Sequence, residues 1–166
     1  AEATGTISNV VNKAAVTLNM TTATDTSIAV AGIVAVSDAG LENCKNFGAV
    51  TYTNTAASHG GLVAGLAGYG QGAVSKCENN GKVTMSVPYL SDFGAVKSIS
   101  NNPIHIGGLV AYLGANAPVS ECTNNGAIDY DITHIEKLGV SCGTNRPRMG
   151  GIVGMAQSSI TKSTNT

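Results

Sequence analysis

The sequence contains no tryptophan and has few aromatic or charged residues. Its 166 residues include five tyrosines and two phenylalanines, and charged side chains make up 11% of the chain. A typical soluble protein carries roughly a quarter charged residues. Nine Lys and Arg nearly balance ten Asp and Glu, so the chain lacks the strongly basic character of nucleic-acid-binding proteins. We therefore expect no nucleic-acid partner.

A long apolar run is also missing. No segment approaches the ~20 apolar residues that a membrane-spanning helix needs, and residues 1–4 lack the charged and apolar regions of a signal peptide. Glycine (21 residues), threonine (17) and asparagine (15) are abundant instead, beside many Val and Ile. These residue types favour turns and strands over helix interiors. The composition therefore predicts an all-β protein.

Two sequence blocks recur along the chain. The first reads Gly-Gly-Leu-Val-Ala at residues 60–64 and 107–111, with variants at 31–35 and 150–154. The second reads Val-Ser-x-Cys-x-Asn-Asn-Gly around Cys77 and Cys122, with looser copies around Val10, Cys44 and Ser163. Successive copies of the second block begin 34, 33, 45 and 41 residues apart. A period of this size is typical of stacked repeat architectures.

Each repeat has the pattern of short strands. Apolar and polar residues alternate after the second block, as in 83–87 and 128–132, which predicts a half-buried strand. The Gly-Gly block is short and rich in β-branched residues, like a more deeply buried strand, and a bend is expected between Val74 and Cys77. We predict about three strands per repeat. Residues 1–166 then form a single module, a parallel β-solenoid of about four to five coils.

Recurrent positions form ladders along such a stack. We expect the first ladder to occupy a small buried position in each coil. Cysteine at such a position behaves as a small hydrophobic residue with a free thiol. The members of this ladder are Val10, Cys44, Cys77, Cys122 and Ser163. We expect the second ladder to bond side-chain amides between coils; it consists of Asn12, Asn46, Asn79, Asn124 and Asn165. The glycines two residues later (Gly48, Gly81, Gly126) suit a left-handed turn conformation. Cys142 lies in an insertion with no obvious partner.

The longer intervals of 45 and 41 residues predict insertions at about 88–103 and 134–147. Insertions in solenoids often form a binding face, although they can equally cap or brace the stack. Candidate binding residues lie in or near them: Tyr89, Phe93, Tyr112, Arg146 and Arg148. His59 and His105 stand just before Gly-Gly blocks, where we expect them to mark a turn.

Motifs of catalysis are sparse. Asp129 and Asp131 share one outward face, but the other repeats have Thr or Ser there, which favours a solvated surface over paired catalytic carboxylates. No zinc-ligand spacing, calcium nonapeptide or phosphate-binding loop is present in the sequence. We predict no enzyme activity, no metal and no cofactor. Ice binding by outward threonines is disfavoured, because the Thr51–Thr53 pattern is broken in later repeats.

The paired blocks resemble the GLUG-type repeats of bacterial cell-surface and adhesin-like proteins. Residues 60–83 and 107–128 match this pattern best, 32–50 match it more loosely, and 150–165 match an incomplete copy. The resemblance implies export, display at the cell surface and use as a spacer or adhesive stalk. It implies no catalytic residues.

Two functions remain open from the sequence. The first is a non-enzymatic extracellular or cell-surface structural or adhesion module, forming a stalk, spacer or fibre component. The second is a carbohydrate-binding module that stacks sugars on Tyr89, Phe93 and Tyr112. The sequence stops inside a repeat, so we expect a segment of a longer repeat protein, or another chain that stacks on the open coil ends.

Overall fold

The protein is an all-β parallel solenoid, as the repeats predict. The computed structural model describes residues 2–22, 28–55, 61–87, 104–131 and 148–166. Their strands stack coil upon coil into five parallel sheets, which we number I to V. Five coils contribute strands, so the predicted fold class and coil number are confirmed.

The 23 strands of the described residues follow the coils in order. Coil 1 holds β1 (Glu2–Ala3), β2 (Ile7–Ser8), β3 (Val11–Asn12) and β4 (Val16–Met20). Coil 2 holds β5 (Ile28–Ala31), β6 (Val34–Ser37), β7 (Leu41–Glu42), β8 (Lys45–Asn46) and β9 (Val50–Asn54). Coil 3 holds β10 (Gly61–Ala64), β11 (Ala67–Gly70), β12 (Val74–Ser75), β13 (Glu78–Asn79) and β14 (Val83–Ser86). Coil 4 holds β15 (His105–Gly107), β16 (Val110–Leu113), β17 (Val119–Ser120), β18 (Thr123–Asn124) and β19 (Ile128–Asp131). Coil 5 holds β20 (Arg148–Gly150), β21 (Val153–Ala156), β22 (Ile160–Thr161) and β23 (Thr164–Asn165).

Each sheet takes one strand from each coil that reaches it. Sheet I contains β1, β6, β11, β16 and β21; sheet II contains β2, β7, β12, β17 and β22; sheet III contains β3, β8, β13, β18 and β23. Sheet IV contains β4, β9, β14 and β19, and sheet V contains β5, β10, β15 and β20. A complete coil therefore has five strands, not the predicted three. The Gly-Gly block is split by a corner, which separates sheet V from sheet I.

The predicted equivalence of residues 60–64 and 107–111 is wrong. Leu62 pairs with His105 and Ala64 with Gly107, and the Gly65 N–H donates to Gly108 O at 3.2 Å. The counterpart of Gly108 is therefore Gly65, four residues later than the predicted counterpart Gly61. The distance from each corner glycine to the cysteine ladder indicates the correct register, because Gly65 precedes Cys77 by the same 12 residues that separate Gly32 from Cys44.

The left-handed turn residues are not the predicted glycines. A positive φ occurs one residue before each member of the cysteine ladder, and these residues are Asn9, Asn43, Lys76, Glu121 and Lys162. This residue makes the bend between sheets II and III. Gly81 is required for a different reason, since a Cβ there would lie 2.0 Å from the carbonyl oxygen of Gly48 in the preceding coil. The close stacking of the coils excludes a side chain at this position.

The asparagine ladder forms the amide chain that the sequence predicts. Asn46 Nδ2 donates to Asn79 Oδ1 at 2.8 Å, and Asn79 Nδ2 donates to Asn124 Oδ1 at 2.7 Å. The same bonds link Asn12 to Asn46 and Asn124 to Asn165. Each amide from coil 1 to coil 4 also donates to the carbonyl two residues later. The three inner asparagines are almost fully buried, yet their polar atoms are paired.

The cysteine ladder is also confirmed at its centre. Cys44, Cys77 and Cys122 are buried free thiols. The Cys44 N–H donates to Cys77 Sγ and the Cys77 N–H to Cys122 Sγ, both at 3.3 Å. Ser163 continues the ladder, because its hydroxyl accepts from the Cys122 N–H at 3.2 Å. The prediction that Val10 is buried is wrong, since this residue of coil 1 is 40% exposed.

The interior is divided into two apolar cores. One lies between sheets I and II and includes Leu41, Leu66, Val74 and the ladder cysteines. The other lies between sheets IV and V; its buried members are Val30, Val50, Tyr52, Val63, Val83, Met85, Val87, Ile104 and Ile106. The glycines at the corner between sheets V and I lie in contact with the asparagine ladder, between the two cores. The corner between sheets V and I therefore points inward, and its outer side forms a groove.

Candidate functional site

The groove between sheets V and I runs along the outside of the solenoid. It has a small apolar cluster of its own at its base, formed by Leu62, Ala64 and Ala111. Tyr69 and Tyr112 of sheet I pack against this cluster and are half-buried. Because these two tyrosines keep part of their surface in solvent, the groove presents aromatic rings on an otherwise aromatic-poor protein.

Residues seven apart in sequence face each other across the groove. In coil 4, His105 of sheet V stacks on Tyr112 of sheet I, with ring centroids 6.0 Å apart and an interplanar angle of 22°. In coil 5, Arg148 Nη1 contacts the sulfur of Met155. The sharp inward corner brings the two strands of one coil together, so the pairs repeat from coil to coil.

The tyrosines also form a pair along sheet I. Tyr69 and Tyr112 are register partners in neighbouring strands, and their ring centroids lie 5.2 Å apart with an interplanar angle of 49°. Burial, with smaller contributions from Tyr112 and Asp38, raises the pKa of Tyr69 above its usual value. The Tyr69 hydroxyl therefore stays protonated at neutral pH and can donate a hydrogen bond.

His105 is the buried polar residue of the groove. It is 2% exposed, and its Nδ1 lies 2.7 Å from the carbonyl oxygen of Ile104, as a donor in the tautomer that protonates this nitrogen. Burial lowers the pKa of His105 to about 4, and the Arg148 charge adds to this shift. The imidazole is therefore neutral at physiological pH, and its flat face stacks on the Tyr112 ring.

Two of the five predicted binding residues lie in this groove, namely Tyr112 and Arg148. Arg148 is the first residue of β20 and a register partner of His105. Tyr89, Phe93 and Arg146 lie outside the described residues, as do the predicted insertions 88–103 and 134–147 and Cys142. His59 lies outside them too, and the prediction that His105 marks a turn is wrong, because it is in strand β15.

Tyr69, His105 and Met155 were missed by the sequence reasoning. Their signal is the seven-residue spacing of the pairs 62/69, 105/112 and 148/155, which recurs once per coil. Aligning residues 60–64 with 107–111 concealed it, because that alignment shifts Leu62 and Tyr69 away from His105 and Tyr112. The register of the strands restores the equivalence.

The two longest connections enter the solenoid beside this groove. Six residues join β9 to β10, whereas 18 join β14 to β15 and 16 join β19 to β20. All three connections lead from sheet IV to sheet V. Both additions therefore enter at one corner of the coil, next to the strands that carry His105 and Arg148.

The outward face of sheet IV carries polar rows. Thr17, Thr51, Thr84 and Asp129 are register partners. Lys82 Nζ forms an ion pair with Asp129 at 3.0 Å, with both side chains more than half exposed, and Ser86 Oγ lies 3.5 Å from Asp131 Oδ2. The acidic residues thus interrupt the threonine rows in coil 4. No group of three or more His, Cys, Asp or Glu that could hold a metal ion occurs among the described residues.

Comparison of the chain with protein-family models, curated proteins and solved structures finds no match. The fold defines the class, a parallel β-solenoid. The resemblance to GLUG-type repeats remains a prediction. The part of the chain that the structure describes contains no helix long and apolar enough to cross a membrane.

Proposed function

We propose that the chain is a non-enzymatic extracellular or cell-surface structural module, a stalk or spacer that presents an adhesive corner. The single observation that carries this proposal is the placement of both long connections at one corner of an otherwise regular stack. A repeat core that carries its two long additions at one corner keeps the other sheets free to stack. The resemblance to surface repeats supports export and display.

A bead assay tests the adhesive corner. The chain is coupled to beads through a tag after Thr166, and the beads are presented to cultured cells, immobilised matrix proteins and a glycan panel. The test variant shortens the 18-residue connection between β14 and β15 to the six residues that join β9 to β10. We expect the parent to adhere and the variant to lose adhesion while it keeps its β-sheet spectrum. A parent that adheres to none of these surfaces would overturn the proposal.

A carbohydrate ligand is the second candidate, and the tyrosine pair favours it. Sugar rings stack on aromatic side chains beside hydrogen-bonding groups, and Tyr69 and Tyr112 present two neighbouring rings. Asp38 lies near this pair and accepts a hydrogen bond from Gln71 Nε2 at 2.6 Å. The groove therefore offers both a stacking surface and polar groups.

Glycan-array binding of the parent and of Tyr112→Ser tests this candidate. A Thr84→Ser variant on sheet IV is the control, because Thr84 lies on a different outward face. Binding that falls at least tenfold in Tyr112→Ser and persists in Thr84→Ser supports the sugar site. Equal binding by all three proteins would show that the groove takes no part.

A further inference from the structure

The two ends of the solenoid differ in whether they can accept another coil. Within the stack, three features join each coil to the next. The N–H of the cysteine-ladder residue donates to the Sγ or Oγ of the next coil. The ladder asparagine donates to the next asparagine. The residue two positions later is Gly in coils 2 to 4, in contact with the carbonyl oxygen of the coil before it.

Coil 1 lacks the glycine that follows the ladder asparagine by two residues in coils 2 to 4. A Cβ at Gly48, Gly81 or Gly126 would lie 1.9–2.1 Å from the carbonyl oxygen of the preceding coil. Ala14 occupies the same position in coil 1 and already has a Cβ; its carbonyl oxygen is the one that approaches Gly48. A preceding coil in the same register would therefore bring its carbonyl oxygen within 2.1 Å of this methyl group. No real Cβ tolerates such a contact.

Coil 1 also lacks the acceptor of the cysteine ladder. Val10 stands where Cys77, Cys122 and Ser163 accept a backbone N–H, and an isopropyl group accepts no hydrogen bond. Asn12 Oδ1 accepts from the Ala14 N–H of its own coil at 3.1 Å. The corresponding oxygens of Asn46 and Asn79 accept from the asparagine of the coil before them. Val10 and Ala14 thus stop the pattern that the other coils continue, whereas the Asn12 oxygen keeps a second lone pair for a further donor.

Coil 5 has groups that can continue the inter-coil contacts. Asn165 is exposed, its Oδ1 is used by Asn124, and its Nδ2 has the position of a donor to a further asparagine. Beside it is a cleft of about 310 Å³ between β19 and β20, with Ile128 and Met149 in its walls. Met149 is 60% exposed. In coils 1 to 4 the sheet IV strand begins four residues after the ladder asparagine, so this cleft is the place of a further sheet IV strand.

We propose that the face of coil 5 accepts a further parallel coil of this repeat type, and that the face of coil 1 rejects one. The coil that fits presents an Asn acceptor to Asn165, a Cys or Ser acceptor to the Ser163 N–H, and a β-strand to the edge of β19. This binding surface continues the hydrogen-bond register of the four coil junctions already present. Val10 and Ala14 terminate growth in the opposite direction. The inference concerns stacking alone and is independent of what the groove binds.

Adding one coil at either end tests the proposal. A copy of residues 48–80, the shortest complete coil, is fused after Thr166 in one protein. A copy of residues 36–68 is fused directly before Glu2 in a second protein, where it contains the same sheets in the same register. A third protein carries the second fusion with Val10→Cys and Ala14→Gly. Hydrogen exchange and limited proteolysis then measure the protection of the added coil in each.

We expect the coil after Thr166 to show amide protection at least a hundredfold above an unstructured chain and to resist proteolysis. The coil before Glu2 should exchange like an unstructured chain, and the double substitution should restore its protection. A protected coil before Glu2 in the parent background would overturn the closure of coil 1. An unprotected coil after Thr166, or no rescue by the double substitution, would also contradict the proposal. Protection of amides 28–55 in every fusion confirms that the parent solenoid is folded.

Discussion

Gly65 lies against Asn79 at the seam between the two cores. A Cβ placed on Gly65 would be 2.2 Å from Asn79 Cγ and 2.3 Å from the carbonyl oxygen of Gly108. The inward corner therefore depends on a residue without a side chain, and the asparagine ladder depends on that corner for its burial. This contact separates the cores and shapes the outer groove.

Replacing Gly65 with alanine tests the seam. Because the new methyl group meets buried backbone and a hydrogen-bonded amide, we expect the free energy of unfolding to fall by about 3 kcal/mol. Gly70→Ala in the same coil is the matched control, since its Cβ would find its nearest neighbour at an ordinary 3.6 Å. Urea denaturation followed by circular dichroism measures both. Equal stability losses in the two variants would contradict the claim that the seam requires a residue without a side chain at position 65.

The asparagine ladder predicts a large cost for Asn79→Ala. This substitution leaves Asn46 Nδ2 without its inter-coil acceptor and Asn124 Oδ1 without its donor. The Gly81 carbonyl also loses its Asn79 donor, and together the lost bonds of this buried ladder cost about 3 kcal/mol. Asn80→Ala is the control, because Asn80 lies on the partly exposed side and bonds to Glu78. The account fails here if denaturation midpoints show no larger loss for Asn79→Ala than for Asn80→Ala.

The cysteine ladder predicts that serine replaces Cys77 better than valine does. Serine keeps an acceptor for the Cys44 N–H, as Ser163 does for Cys122, whereas valine leaves that buried N–H unpaired. We expect Cys77→Val to be less stable than Cys77→Ser by about 1–2 kcal/mol. Thermal denaturation of the two variants decides the order. A more stable valine variant would mean that this buried position is purely hydrophobic.

His105 predicts a pH-dependent stability. Burial depresses its pKa to about 4 in the folded chain, against about 6.5 in an unfolded one. The unfolded state therefore binds more protons between these values, and stability falls as the pH drops through this window. From pH 7 to pH 5 the loss from this residue is about 2 kcal/mol.

His105→Leu isolates this contribution, because leucine occupies the equivalent position 62 in coil 3. The parent should lose more stability than His105→Leu between pH 7 and pH 5, and both proteins keep His59 and His134. Denaturant titrations at the two pH values measure the difference. Identical slopes in both proteins would show that His105 is accessible to protonation.

The sequence alone was enough for the repeat, the fold class and both ladders. The period and the Cys and Asn positions are properties of sequence spacing, so they could be read directly. The corner at Gly65 was misplaced because two glycine-rich segments four residues apart look alike without strand register. The groove was missed for the same reason, since Tyr69 becomes a neighbour of Tyr112 only in the correct strand register, and His105 does so only when the corner turns inward. The positive φ at Lys76 has no composition signal, because lysine is unusual in that conformation.

The central claim is the parallel, in-register stacking of coils. Scalar couplings across hydrogen bonds, measured by NMR on isotopically labelled protein, test it most directly. We predict couplings from the Val16 N–H to Ala49 C=O, from Val50 to Lys82 and from Val83 to Ala127, which join sheet IV strands of successive coils at 2.8–2.9 Å. Couplings that instead join strands adjacent in sequence, as in antiparallel hairpins, would contradict the solenoid.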